Sequence, residues 1–273
     1  MPLTLWHGDC LDLMAQIPDA SVDMILCDLP YGTTVCKWDT VIPFEPLWAH
    51  YKRVIKPNGA ILLLAQTPFD KVLGVSNLPM LRYEWIWEKT AATGHLNAKK
   101  MPMKAHENVL VFYSQLPKYR PQKTTGHKPV NSYTKHQDDG ECYGATMIGI
   151  SGGGATDRYP RSVLQFQSDK QTCSLHPTQK PLALIEYMIR TYTDGGETVL
   201  DNCMGSGTTG IACLNTGRNF IGIEKDPKYF EIARNRIEGH NVQIEGQAAL
   251  ACPSRMQGWA LRKVRNETYN EQI

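Results

Sequence analysis

Apolar residues in this chain come in short runs separated by polar turns. Val22-Asp23-Met24-Ile25-Leu26-Cys27 is one such run, ending at Asp28, and Ala60–Ala65 is another. Both have the length and makeup of buried strands. Phe44 to Ile55 reads as a helix, stopped by the turn-forming Lys56-Pro57-Asn58-Gly59. Tyr83–Glu88 and Val109–Tyr113 predict two more strands. Further on, Leu182, Ile185 and Ile189 recur at helical spacing, and Thr198-Val199-Leu200-Asp201 reads as a strand. A glycine turn, Gly205-Ser206-Gly207-Thr208-Thr209-Gly210, then leads into the apolar Ile211-Ala212-Cys213-Leu214. Phe220–Glu224 is a short strand ending in a carboxylate, and Pro227 opens an amphipathic helix with Phe230, Ala233 and Ile237 on one face. Strands alternating with helices predict an α/β fold with a mostly parallel sheet.

From Ser114 to Cys173 the pattern breaks. This stretch is rich in Lys, Thr, Gln and Gly and has no sustained period, which points to a functional insertion in a compact domain. The expected organisation is therefore a first half over 1–113, an insertion over 114–173, a second half over 174–250 and a basic tail over 251–273. A chain of 273 residues is long enough for one large domain carrying such an insertion.

The net charge of +2 is too small to name a partner, but its distribution is informative. Between Asn97 and Gln137 eight lysines and arginines face a single acid, Glu107. Lys118, Arg120, Lys123 and Lys128 in this region are candidates for contact with a phosphate backbone, and Arg255, Arg262, Lys263 and Arg265 form a second basic group. No run is long enough for a membrane span, and Met1–Asp12 does not look like a secretory signal. The eight cysteines show no ligand spacing, so no metal is expected, and they read as reduced thiols of a cytoplasmic protein.

Ligands of open α/β sheets bind at the carboxyl ends of the strands. Asp28-Leu29-Pro30-Tyr31 places a carboxylate and an aromatic ring there, and the glycine turn with Glu224 places a phosphate- or ribose-binding element there too. Taken alone, the turn also fits a nicotinamide-dependent oxidoreductase. Only 49 residues follow Glu224, however, so most of the sheet must precede the turn. That order disfavours an ordinary dehydrogenase.

Four ordered motifs resemble the β-class amino-methylating DNA methyltransferases: Gly8-Asp9-Cys10-Leu11, Asp28-Leu29-Pro30-Tyr31, His176-Pro177-Thr178-Gln179-Lys180-Pro181 and the glycine turn. His106–Phe112 resembles a further strand of the class. The resemblance implies a Rossmann-like methyltransferase fold: a seven-stranded, mostly parallel sheet with helices on both faces and a circularly permuted motif order. It also implies a target-recognition insertion and the methyl donor S-adenosylmethionine. Residues implied to hold the donor are Asp9, Cys10, Asp28, Thr178, Lys180, Asp201, Gly205, Ser206, Gly207, Thr208, Thr209, Glu224 and Lys225. Asp201 is expected beside the methionine amino group, and Glu224 at the ribose diol. Taken alone, Asp9 reads better as a helix cap.

Asp28, Leu29, Pro30 and Tyr31 are implied to act on the amino group of an extruded base. The Asp28 carboxylate and the Leu29 carbonyl would accept its two N–H bonds, while the Tyr31 ring face, rather than its hydroxyl, would stack on the base. The usual form is Asp-Pro-Pro-Tyr, so Leu29 is a departure that costs rigidity but keeps the carbonyl. Carbon methylation of cytosine is not expected, because no Pro-Cys pair is present. The acid at the first motif position leans toward adenine N6, with cytosine N4 as the alternative. Double-stranded DNA is the implied substrate, and the resemblance leaves room for a homodimer.

Overall fold

The computed structural model describes residues 2–34, 36, 39–135, 148–167 and 179–251, with 244–251 described by backbone alone. The elements in chain order are β1 (Leu3–His7), α1 (Cys10–Met14), β2 (Val22–Asp28), α2 (Phe44–Val54), β3 (Ile55–Ala65), α3 (Phe69–Ser76), β4 (Leu81–Thr93), β5 (Lys104–Phe112), β6 (Tyr133–Thr134), β7 (Ser151–Gly152), β8 (Val163–Phe166), α4 (Leu182–Tyr192), β9 (Thr198–Asp201), α5 (Thr208–Thr216), β10 (Asn219–Glu224) and α6 (Pro227–Ala251).

Among the described residues the main sheet has eight strands, one more than expected, in the order β1-β10-β9-β2-β3-β5-β4-β8. The extra strand is β8, which lies inside the stretch read as an insertion and pairs parallel to β4. Its four residues are too short a run, amid polar sequence, to stand out. Within this sheet every pairing is parallel except those of β5, which runs antiparallel to both β3 and β4. The start of β5 therefore lies at the same edge as the ends of β2, β9 and β10.

The central strands are buried on both faces, as expected of a sheet covered by helices on each side. Met24 and Leu26 of β2 pack with Leu62 and Leu64 of β3 against α4 and α5. Ile25 and Cys27 point the other way, with Ile61 and Leu63, into a second core built on α1, α2 and α3. This period-two alternation gives the sheet two cores, each such side chain contributing about 1.5–3 kcal/mol on burial.

Lys56-Pro57-Asn58-Gly59 is not a turn before a separate strand. It bulges out of β3 where the register jumps from Val22↔Ile55 to Met24↔Ala60. A Cβ on Gly59 would lie 2.6 Å from Ile55 Cγ1 and 2.9 Å from the Asp23 carbonyl oxygen, so the bulge closes only on glycine. The ion pair of Lys56 with Asp23 at 2.6 Å spans it.

Candidate active site

The chain ends of β1, β2, β9 and β10 surround a cleft of about 490 Å³, within the usual size of a small-molecule site. Asp9, Cys10, Asp28, Leu29, Pro30, Tyr31, Lys180 and Asp201 line it, as do Gly205, Ser206, Thr208, Thr209, Glu224 and Lys225. Thr178, with His176 and Pro177, lies outside the described residues.

Gly207 is not in the cleft wall. Its φ of +79° makes it the left-handed residue before α5, and a Cβ there would meet Ile237 Cδ1 at 2.9 Å and Ala233 Cβ at 3.1 Å. This glycine therefore serves the packing of α6 behind the turn, where the sequence suggested close approach of a ligand.

Asp9, Glu224 and Asp201 at the cleft are each held by backbone N–H groups. Asp9 caps α1 by accepting from Leu11 N at 2.9 Å, and its other oxygen pairs with Lys225 at 2.9 Å across the cleft mouth. Glu224 accepts from Gly205 N at 2.9 Å and Asp226 N at 2.8 Å, so it shapes the glycine turn it faces. Burial pushes the Glu224 carboxyl upward. Asp201, only 4% exposed, accepts from Thr209 Oγ1 at 2.6 Å and Cys203 N at 3.1 Å. Burial outweighs those bonds and raises its pKa to about 7. Tyr51 reaches from α2 to donate to Asn202 at 2.6 Å, joining the two halves beneath the cleft.

The Cys10 thiol is pushed up by its hydrogen bond with Cys203 and by burial, and Cys27 is pushed up by burial to about 12. These sulfurs are neutral thiols rather than nucleophiles.

Asp28 ends β2 inside a set of charges that reaches across the sheet. Its Oδ1 accepts from the Tyr31 hydroxyl at 2.7 Å, and its Oδ2 pairs with Lys180 Nζ at 3.0 Å. Lys180 also donates to Glu107 Oε2 at 2.8 Å, and the other oxygen of Glu107 pairs with Lys89 at 2.7 Å. Burial, against the pull of Lys180, raises the Asp28 carboxyl above the usual range. Burial opposes the charge of Lys180, yet Asp28 and Glu107 together hold it firmly protonated. Glu107 is held below its usual value despite burial, because Lys180 and Lys89 flank it.

The Tyr31 ring stacks on Phe69 at 5.1 Å with an interplanar angle of 24°. Lys180 Nζ is 5.4 Å from the ring centre but 3.4 Å from the hydroxyl oxygen. It therefore lies toward the hydroxyl end of the ring. The hydroxyl is engaged with Asp28, a contact the sequence reading, which gave the ring face the stacking, did not include.

The loop after this motif is fixed by Asp39, which accepts from the N–H groups of Gly32, Thr33 and Thr34 at 2.7–2.9 Å. Despite burial, those bonds hold its carboxyl low. Asp39, Phe69, Lys89 and the pairing role of Glu107 were not read from the sequence. A usable signal existed for Glu107, the single acid in a basic stretch, and for Phe69, an aromatic just beyond the end of a central strand.

The candidate DNA-contacting residues lie apart from the cleft wall. Lys118 pairs with Glu197 and, at 3.0 Å, with Asp194, and Arg120 pairs with Asp194 at 3.1 Å. Lys123 pairs with Asp157 at 2.8 Å and lies 4.3 Å from the centre of the Tyr159 ring. Lys128 is exposed. The Arg255, Arg262, Lys263 and Arg265 group is outside the described residues. No described helix is long and apolar enough to cross a membrane.

A donor-sized cleft edged by carboxylates, beside an acid and a half-stacked aromatic ring, suits a cationic cofactor and a planar amino-bearing substrate. The chain matches the N6/N4 DNA methylase family over residues 22–235, and it belongs to that family. It is 26% identical over 265 residues to the type II methyltransferase M2.DpnII of Streptococcus pneumoniae, spanning 88% of this chain and 91% of that protein. Its fold is similar to that of the M1.HpyAVI–SAM complex, with a TM-score of 0.57 and 24% identity over 86% of this chain and 99% of the other. It is also similar to the cytosine-N4-specific PvuII DNA methyltransferase, with a TM-score of 0.61 and 15% identity over 89% and 93% of the two chains.

Proposed function

We propose that the protein methylates the N6 amino group of adenine in double-stranded DNA, extruding the base to reach it, with S-adenosylmethionine as donor. The observation that carries this reading is Asp28 at the cleft, one oxygen bonded to Tyr31 and the other paired with Lys180, next to the Tyr31 ring, which lines the same cleft. The cleft wall fits the donor. Asp9, Asp201 and Glu224 complement its positive groups and its diol, and the N-terminus of α5 at Thr208 and Thr209 offers N–H groups to its carboxylate. When bound, S-adenosylmethionine supplies a methyl group activated by its sulfonium.

The exocyclic amino nitrogen is a poor nucleophile because its lone pair is delocalised into the ring. Asp28 accepts one N–H, which localises that lone pair and stabilises the positive charge that develops. The Leu29 side chain is buried in the core, so its backbone carbonyl is the group it brings to the second N–H. The raised pKa of Asp28 suits it to receive the proton that the nitrogen must release. Tyr31 holds the base plane and so fixes the direction of the amino group.

Choice of adenine follows the acid at the first motif position. Unmethylated DNA incubated with the protein and S-adenosylmethionine should yield N6-methyladenine on nucleoside mass spectrometry. N4-methylcytosine would replace the base assignment, and no methylated nucleoside would overturn the reading. Asp28→Ala should lose nearly all turnover while donor affinity stays close to wild type.

A further inference from the structure

Lys89, Glu107, Lys180 and Asp28 form one line of alternating charge that starts on β4, crosses β5 and ends at the reacting carboxylate of β2. The side chains of Lys89, Glu107 and Lys180 are 9%, 11% and 8% exposed. Only Asp28, Tyr31 and Lys180 reach the cleft wall; Glu107 and Lys89 lie behind it. Burying this many charges is unfavourable unless each is paired, and here each is.

We infer that Glu107 is a positioning residue for methyl transfer: by holding Lys180 between itself and Asp28, it limits how strongly the ammonium draws charge from the carboxylate that receives the amino group. The inference rests on the reading of Asp28 given above. Lys180 itself cannot serve as the proton acceptor, because its two carboxylate neighbours keep it protonated. Its part is electrostatic. An ammonium bound to Asp28 alone would make that oxygen a poorer acceptor. Sharing it with Glu107 restores basicity where the N–H must bind. Lys89 sets the other side of the balance, since its pairing draws Glu107 partly away from Lys180.

The groups facing Asp28 are few. Tyr31 comes from its own loop, Lys180 from the segment before α4 and Glu107 from β5, with Cys27 beside it on β2 and Asp201 at the end of β9. Cys27 is a neutral thiol. Asp201 lies outside the charge line and is coupled to it only through Asp28, whose charge helps raise its carboxyl. This background is common to wild type and both variants, so opposite shifts at Glu107 and Lys89 report on the line itself.

The experiment is the pH profile of single-turnover methyl transfer for wild type, Glu107→Gln and Lys89→Met, alongside S-adenosylmethionine affinity by calorimetry. Glu107→Gln removes a negative neighbour and leaves Lys180 to Asp28 alone. Its acid limb should move down by about one pH unit, and its plateau rate should fall. Lys89→Met leaves Glu107 wholly to Lys180, so its acid limb should move up. Donor affinity should stay near wild type in both, because neither residue lines the cleft. A merely structural role would not shift the two limbs in opposite directions. If Glu107→Gln does not fold, the upward shift in Lys89→Met decides alone. Acid limbs that coincide with wild type, in proteins that bind the donor normally, overturn the inference. Retained turnover in Asp28→Ala instead removes the reading of Asp28, and the inference with it.

Discussion

The Tyr31 hydroxyl donates to Asp28 Oδ1 at 2.7 Å, so the ring that would receive the base is tied to the carboxylate that would receive its amino group. Phe69 lies against the ring's other side. Under the proposed function one side chain would thus carry two separable roles, stacking on the base and orientation of the acid. Tyr31→Phe keeps the first and loses the second, and should lower kcat with little change in KM for DNA. Tyr31→Ala loses both, and should also raise KM by the equivalent of about 1–3 kcal/mol of stacking. Phe69→Leu should act like a mild Tyr31→Ala. Steady-state kinetics on a short duplex separates these outcomes, and equal kcat in Tyr31→Phe and wild type would show the hydroxyl to be idle.

Asp201 makes stability depend on pH. Its carboxyl titrates near 7 in the folded protein against 3.8 as the ordinary value, so the folded state binds the extra proton between those limits. Stability should fall as pH rises from about 4 to 7, by a few kcal/mol at most, and level off above. Urea unfolding of the donor-free protein across this range measures it. Asp201→Asn should flatten the curve; the same slope in the variant would assign the dependence to another group.

Gly207→Ala should lower thermal stability rather than selectively weaken donor binding. A left-handed φ of +79° costs a residue with a Cβ about 1–2 kcal/mol, and the new methyl presses on Ile237 and Ala233. Calorimetric melting with and without S-adenosylmethionine tests this. A variant with wild-type melting temperature and much weaker donor affinity would return Gly207 to the ligand.

Lys118 and Arg120 are already neutralised by Asp194 and Glu197, whereas Lys128 is exposed. Removing Lys118 and Arg120 should leave the salt dependence of DNA binding nearly unchanged. Lys128→Ala should flatten it by about one unit of log–log slope if that lysine meets a phosphate. Filter binding across a salt series distinguishes them, and a flattened slope for the Lys118/Arg120 variant would contradict the expectation.

Much of this arrangement could be read from local patterns. The buried runs ending at Asp28, Asp201 and Glu224 identified three strands of the sheet and the edge where the cleft lies, because a strand end fixes where its last side chain points. What escaped were relationships set by tertiary pairing. Glu107 meets Lys180 across 73 positions only because β5 is inserted antiparallel, which brings the start of a strand to the ligand edge. Gly207 satisfied a ligand-binding pattern for a different reason, the close packing of Ile237 from a helix further along. Asp39 looked like an ordinary loop acid, since the three N–H groups it gathers are adjacent only once the loop has folded.

The segment between β5 and α4 is moored at both ends. Near its start, Arg120 N donates to the Thr191 carbonyl and Gln122 donates to the Tyr187 carbonyl of α4, while near its end β8 hydrogen-bonds to β4. Between these moorings none of the described residues lines the cleft wall. Under the proposed function such a segment would act as a cassette: exchanging the residues between Lys123 and Arg161 for those of a relative should change which DNA sites are methylated while turnover is kept, and an unchanged site preference in the chimera would take target choice away from this segment.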